Sequence, residues 1–205
     1  MPARIAVEMF FVAVTIETLR HEFNLIPDER RKILSGITSF IESQISQKSK
    51  ADLIFICTHN SRRSHVAQIW AQTAAAWYNV KGVNSYSGGT EATAFNVNAI
   101  EALRKLGFRI SAGSNGNNPK YSVTYADNHL AFEVFSKKYD ESPNPDRGFA
   151  AIMTCTQADA DCPIVSGSAI RISLPYDDPK NFDGTTLESA KYLEHALEIG
   201  RELLF

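Results

Sequence analysis

The sequence has no long apolar run, few cysteines and no excess of charge of either sign. In 205 residues, 21 Lys and Arg stand against 23 Asp and Glu, a formal charge of −2. A protein that holds nucleic acid electrostatically needs a basic face, and this balance argues against one. Eleven Gly and eight Pro are too few for a disordered or collagen-like chain. The most apolar N-terminal stretch, Ile5 to Ile16, is interrupted by Glu8. A spanning helix needs roughly 20 apolar residues, so no membrane insertion is expected. A secretory signal would carry a basic start and a small-residue cleavage site, but Thr18-Leu19-Arg20-His21 follows the apolar stretch. Cys57, Cys155 and Cys162 are the three cysteines. An odd count builds no disulfide framework, and a cytoplasmic protein is expected.

What is present is the composition of a globular protein, 44% hydrophobic and 21% charged, long enough for one large domain or a domain with an appendage. Residues 1–50 read as a helical extension. Pro27, Asp28 and Glu29 make a helix start, after which Ile33, Ile37, Phe40, Ile41 and Ile45 recur at helical spacing. A further helix is expected over about Val7 to Phe23, and Gln47 to Lys50 reads as a polar linker.

The pattern changes at Leu53-Ile54-Phe55-Ile56, a continuous apolar run that marks a strand buried on both faces. A helix opens at Ser64. Val83 to Ser87 is a second strand closed by Gly88-Gly89, and Asn98 to Leu106 a helix stopped by Gly107. Phe149 to Thr154 and Ala169 to Leu174 are the third and fourth strands, and Thr185-x-x-Glu188 is a capping box before a last helix reaching about Leu204. Strands alternating with helices predict an α/β fold with a doubly wound, four-stranded parallel sheet over 51–205. Residues 114–146 interrupt it, where Tyr121 to Tyr125 and Leu130 to Phe135 flank Ala126 to His129 as a β-hairpin insertion.

The informative segment is Cys57-Thr58-His59-Asn60-Ser61-Arg62-Arg63-Ser64, which leaves a buried strand and enters a helix. A helix N-terminus offers unpaired N–H groups and the positive end of its dipole, a ready site for a tetrahedral oxyanion. The stretch Thr58, His59, Asn60, Ser61, Arg62, Arg63 and Ser64 can curl around such an anion, with the planar fork of Arg63 gripping two oxygens. Cys57 sits in that positive field, which favours a nucleophilic thiolate. Ser64 can donate to the sulfur, and Asn60 tolerates the positive φ of a tight loop. A Cys–Arg pair at this spacing is common by chance, and a free Cys is often a small core residue; its place between strand and helix is what favours chemistry. His59 and His65 can tune the local field, although a bystander or loop-packing role is the commoner outcome.

Asp177-Asp178-Pro179 follows the fourth strand. Such strings are ordinary turn chemistry, but an Asp at this edge of the sheet can supply the proton an oxyanion transfer needs. Cys155 ends the third strand, on the expected rim of Cys57. Cys162 lies on a polar stretch expected to be mobile before Pro163. Three Cys without an evident fourth ligand argue against zinc, and no metal is expected. Tyr121, Tyr125, Phe132 and Phe135 can line a pocket, although hairpin core packing is the commoner outcome.

Cys57 to Ser64, Gly88-Gly89-Thr90-Glu91 and Asp178-Pro179 together resemble the low-molecular-weight protein tyrosine phosphatase superfamily. Cys155 and Cys162 with the acidic residues between them, then Pro163, are similar to its thioredoxin-coupled arsenate reductases. The resemblance covers roughly residues 51–113 and 149–203. It implies that Cys57 attacks arsenate held by Arg63, Asp178 protonates the departing oxygen, and Cys155 and then Cys162 carry the oxidation to thioredoxin, with no cofactor. It equally implies a phosphatase acting on phosphotyrosine or a small phosphate ester. A non-enzymatic oxyanion-binding module is the third reading. Arg62 stands where the phosphatases carry a second Cys. Gln68 stands where some members carry the acidic residue that holds potassium, so that ion is not expected.

Overall fold

The computed structural model describes residues 11–127 and 129–205. The continuous apolar run becomes strand β1, Ala51–Cys57. It lies between β2, Val83–Gly89, and β6, Phe149–Met153, and β7, Ser168–Ser173, completes the sheet. The order is β2-β1-β6-β7 and all three pairings are parallel. β1 and β6 are buried along almost their whole length, as expected of strands covered on both faces. The crossover after β1 goes to one side and the strand returning to its other side is β6, so strand order reverses there. Loops at the C-terminal ends of these two strands form the crevice in which such sheets bind ligands.

Helices α3, Arg63–Trp77, α4, Val97–Lys105, and α6, Glu188–Leu204, cover the sheet, while α5, Thr156–Asp161, links β6 to β7. Helix α6 lies close against α3 because Gly200 faces the Trp70 ring; a Cβ there would come within 2.5 Å of Trp70 Cε2. The N-terminal helices α1, Ala13–His21, and α2, Asp28–Ser46, bury Ile16, Leu19, Leu34, Ile37 and Phe40 in the same hydrophobic cluster as β1 and α3. Each such side chain contributes on the order of 1.5–3 kcal/mol. Arg30 of α2 adds a forked ion pair to Glu202 of α6, Nε–Oε1 2.8 Å and Nη2–Oε2 2.5 Å. No helix among the described residues is long and apolar enough to cross a membrane.

Four expectations change in detail. Residues 7–10 of the helix expected over 7–23 lie outside the described residues, and α1 itself runs from Ala13 to His21. The expected hairpin exists as β4, Tyr121–Thr124, and β5, Phe132–Val134. It is extended by β3, Arg109–Ala112, into a three-stranded antiparallel sheet; residue 128 in its connection lies outside the described residues. The residues between Cys155 and Cys162, expected as a mobile polar stretch, form a helix that Arg171 grips from β7. The capping box does not form as such. Thr185 Oγ1 accepts from Leu187 N and Glu188 Oε2 from Gly184 N, so both serve the turn that precedes α6.

Candidate active site

Strand β1 delivers Cys57 to the sheet edge, where its side chain is buried, and α3 begins six residues later at Arg63. The intervening loop is curled. Asn60 has φ +43° and its side chain braces the curl from within, Nδ2 donating to Ser64 Oγ at 2.8 Å and Oδ1 accepting from Lys137 N at 2.9 Å. Cys57 Sγ and Ser64 Oγ share a hydrogen bond at 3.1 Å. The carbonyls of Cys57, Thr58, His59 and Ser61 accept from Thr90 N, Glu91 N, Thr93 Oγ1 and Asn96 N respectively. These four carbonyls are taken up by neighbouring segments, as an anion nest built from the loop's N–H groups requires. Gly89 is required by this closeness: a Cβ would stand 2.2 Å from Glu91 O and 2.7 Å from Asn60 N.

The segment after the hairpin supports the loop from behind. Ser136 Oγ donates to His59 O at 3.2 Å, and Gly89 and Lys138 form an isolated parallel bridge. His65 is fully buried there, its Nδ1 paired with Ser87 Oγ at 2.9 Å and its ring 4.3 Å from that of Phe95. Burial, helped by the nearby Lys137 ammonium, holds this imidazole well below its ordinary range, so it is neutral. Lys137 is itself buried, which pushes its ammonium down to about 8, Glu133 and Glu141 opposing in part. His65 is therefore loop packing. Tyr125 is buried in the core cluster, and Tyr121 and Phe132, partly buried, pack against it; none of the three lines the cleft beside Arg63 and Asp178. His59 is exposed, 3.8 Å from Glu91.

Opposite the loop, Asp178 caps the 3-10 turn Pro179–Phe182 by accepting from Lys180 N. Its Oδ2 accepts from Arg63 Nη2 at 2.6 Å, and Arg63 Nη1 donates to Tyr176 O at 3.0 Å. The Arg62 side chain turns toward α6 instead. A cleft of about 650 Å³ opens beside Arg63 and Asp178, walled on its far side by Ile26, Pro27 and Arg30 of the N-terminal extension.

All three cysteines carry free thiols. Cys155 is buried at the end of β6, its Sγ 3.5 Å from Thr58 Oγ1 and accepting from Ala158 N at 3.3 Å as the cap of α5. Cys162 follows the last turn of α5 and is partly exposed. Burial and Asp161 push its thiol up, with Arg171 opposing. Arg171 donates to Asp159 O and Oδ1, each at 2.6 Å, and to Cys162 O at 3.0 Å. At a rise of about 1.5 Å per residue the helix holds the two Cα atoms about 10 Å apart, beyond the roughly 7 Å a disulfide spans.

Sequence reading missed Lys137, Tyr192, Asp183 and Arg171, whose contacts join distant segments and leave no local signal. Arg62 was the one available hint: a second arginine in an anion loop needs a partner.

No protein-family model matches the chain. It is 30% identical over 132 residues to an arsenate reductase 2 of Staphylococcus epidermidis RP62A, covering 63% of this chain and 79% of that protein. It is 29% identical over 133 residues to an arsenate reductase of Staphylococcus aureus strain Newman, covering 64% and 80%. Among solved structures it is similar to a low-molecular-weight phosphotyrosine phosphatase from Vibrio cholerae O395, at TM-score 0.48 and 16% identity, covering 75% of this chain and 92% of that one. The stretch shared with the staphylococcal proteins spans most of their length, and the chain belongs to their family of enzymes, the arsenate reductases.

Proposed function

We propose that this protein reduces arsenate to arsenite with three thiols acting in turn. The observation that carries the reading is the 3.5 Å contact between Cys155 Sγ and Thr58 Oγ1, which sets a second sulfur against the loop beside the residue that follows Cys57. A phosphatase has no use for a second thiol there.

Arsenate occupies the loop, held by its N–H groups, Arg63 and Ser64. The Cys57 thiolate attacks arsenic, and one oxygen leaves as water on a proton from Asp178. Cys155 attacks Cys57 Sγ. The As–S bond breaks with its electron pair passing to arsenic, As(III) leaves as arsenite, and a Cys57–Cys155 disulfide remains. Cys162 then attacks Cys155 Sγ, freeing Cys57 as thiolate and leaving a Cys155–Cys162 disulfide, which α5 must unwind to form. Two thiols oxidised to one disulfide supply the two electrons that As(V) needs. A thioredoxin dithiol restores the pair. Free thiols throughout suit a reducing compartment such as the cytoplasm. In this reading residues 51–205 are the catalytic unit, with 114–146 as an insertion bracing its loop and 1–50 as an extension walling its cleft.

The Cys57–Ser64 and Arg63–Asp178 contacts also bring together the groups that a second activity needs: hydrolysis of phosphotyrosine or a small phosphate ester through a phosphocysteine on Cys57. One experiment separates the two. Arsenate-dependent NADPH oxidation, coupled through thioredoxin and its reductase, is expected for the wild type and lost in Cys155→Ser and Cys162→Ser. Both variants are expected to keep any p-nitrophenyl phosphate hydrolysis. Normal arsenate turnover by either variant overturns the reductase reading.

A further inference from the structure

The side chain of Arg62 has no part in the chemistry above. Its Nε donates to Tyr192 Oη at 2.9 Å, and Tyr192 Oη donates in turn to Asp183 Oδ1 at 2.8 Å. Arg62 Nη2 lies 3.6 Å from Asp183 Oδ2, and Nε lies 4.0 Å from Asp178 Oδ1. Asp178 precedes the short turn Pro179–Phe182 and Asp183 follows it. One guanidinium on the loop therefore reaches both ends of the turn that carries the proposed proton donor.

We propose that Arg62, Tyr192 and Asp183 form a latch that holds Asp178 in place for proton transfer. The inference rests on Asp178 being that donor. Its physical basis is a conflict of duty at Arg63, which makes the closest ion pair to Asp178 yet must turn its donors to an arriving oxyanion. Once it does, that ion pair is lost. An acid that is not held within hydrogen-bond reach of the departing oxygen transfers its proton poorly. The latch uses none of Arg63's donors, so it persists when substrate binds. Tyr192 is suited to the pivot. It is 2% exposed on α6, and its hydroxyl both accepts and donates. Burial and the bond to Asp183 push its phenol up to about 12, so it keeps the proton it donates. These are positioning residues.

The test is a double-mutant cycle on the full chain with wild type, Tyr192→Phe, Asp178→Asn and the double variant. Each is assayed for arsenate turnover with thioredoxin and for p-nitrophenyl phosphate hydrolysis. The phenyl ring keeps the core filled. Tyr192→Phe alone is expected to lower kcat about 10-fold and leave KM for the oxyanion within about twofold. In the Asp178→Asn background the same change is expected to cost less than about twofold, because coupled residues are not additive. An equal loss in both backgrounds marks a scaffold role and overturns the latch, as does an unchanged kcat or an effect on KM alone. If Asp178→Asn itself leaves kcat intact, the proton-donor reading has failed and the latch falls with it. If the wild type turns over neither substrate, the reading beneath the latch fails as well.

Discussion

Arg63 and Asp178 lie 115 residues apart in the chain, yet Arg63 Nη2 meets Asp178 Oδ2 at 2.6 Å, and Arg63 Nη1 is bound to Tyr176 O from the same loop. The proposed anion clamp and the proposed proton donor are thus joined to each other in the structure.

The fork is what matters at Arg63, since a lysine keeps the charge but grips no oxyanion with two parallel bonds. Arg63→Lys is expected to lower kcat/KM for arsenate by about 10²–10³-fold, with an unchanged far-UV circular dichroism spectrum. Steady-state kinetics over a range of arsenate concentrations checks this, and a loss below about fivefold contradicts it.

Lys137 carries a buried ammonium, pushed from the ordinary 10.5 down to about 8 mainly by burial. Below about pH 8 it is charged folded and unfolded, so the native state bears the full cost of burying it. Between about 8 and 10.5 the folded protein releases that proton while the unfolded chain keeps it, and this group's contribution to stability rises by up to ~3 kcal/mol. Lys137→Met leaves the backbone N–H that holds Asn60 and removes the buried charge. Urea unfolding is expected to find the variant about 1–3 kcal/mol more stable than wild type at neutral pH. The advantage shrinks toward pH 10; one that grows with pH contradicts the assignment.

The Cys162 thiol is pushed above its ordinary value by burial and by Asp161, and thiolate is the attacking form in disulfide exchange. Transfer of the disulfide from Cys57–Cys155 to Cys155–Cys162 is therefore expected to keep accelerating as pH rises past the ordinary thiol value of 9.0. Asp161→Asn, which removes a charge that raises this thiol, is expected to speed the step near pH 8. Rapid alkylation followed by mass spectrometry of the cysteine peptides measures it. A rate that levels off near pH 7 rules out Cys162 as the slow-ionising attacker.

The loop between β1 and α3 was legible because both flanks carry strong local patterns: four consecutive apolar residues, then helical periodicity through Trp70 and Trp77. Strand β3 was not legible, since only Ile110 of Arg109–Ala112 is buried and one apolar residue makes no alternation. Helix α5 has little local signature because Thr156–Asp161 buries only Ala158; its anchor is Arg171, a residue of another strand. The turn before α6 misled for a related reason. Thr185 and Glu188 have capping-box spacing, but both bond to the turn that connects Phe182 to Leu187. The latch at Tyr192 spans 130 residues, and no periodicity announces a contact of that length.

The most direct measurement follows the disulfides. Reduced protein is treated with one equivalent of arsenate, quenched by alkylation and mapped by mass spectrometry. Wild type is predicted to yield a Cys155–Cys162 disulfide with Cys57 alkylated, and Cys162→Ser to stop at a Cys57–Cys155 disulfide with one equivalent of arsenite released. Arsenite release with no disulfide between Cys57 and Cys155 in that variant contradicts the account.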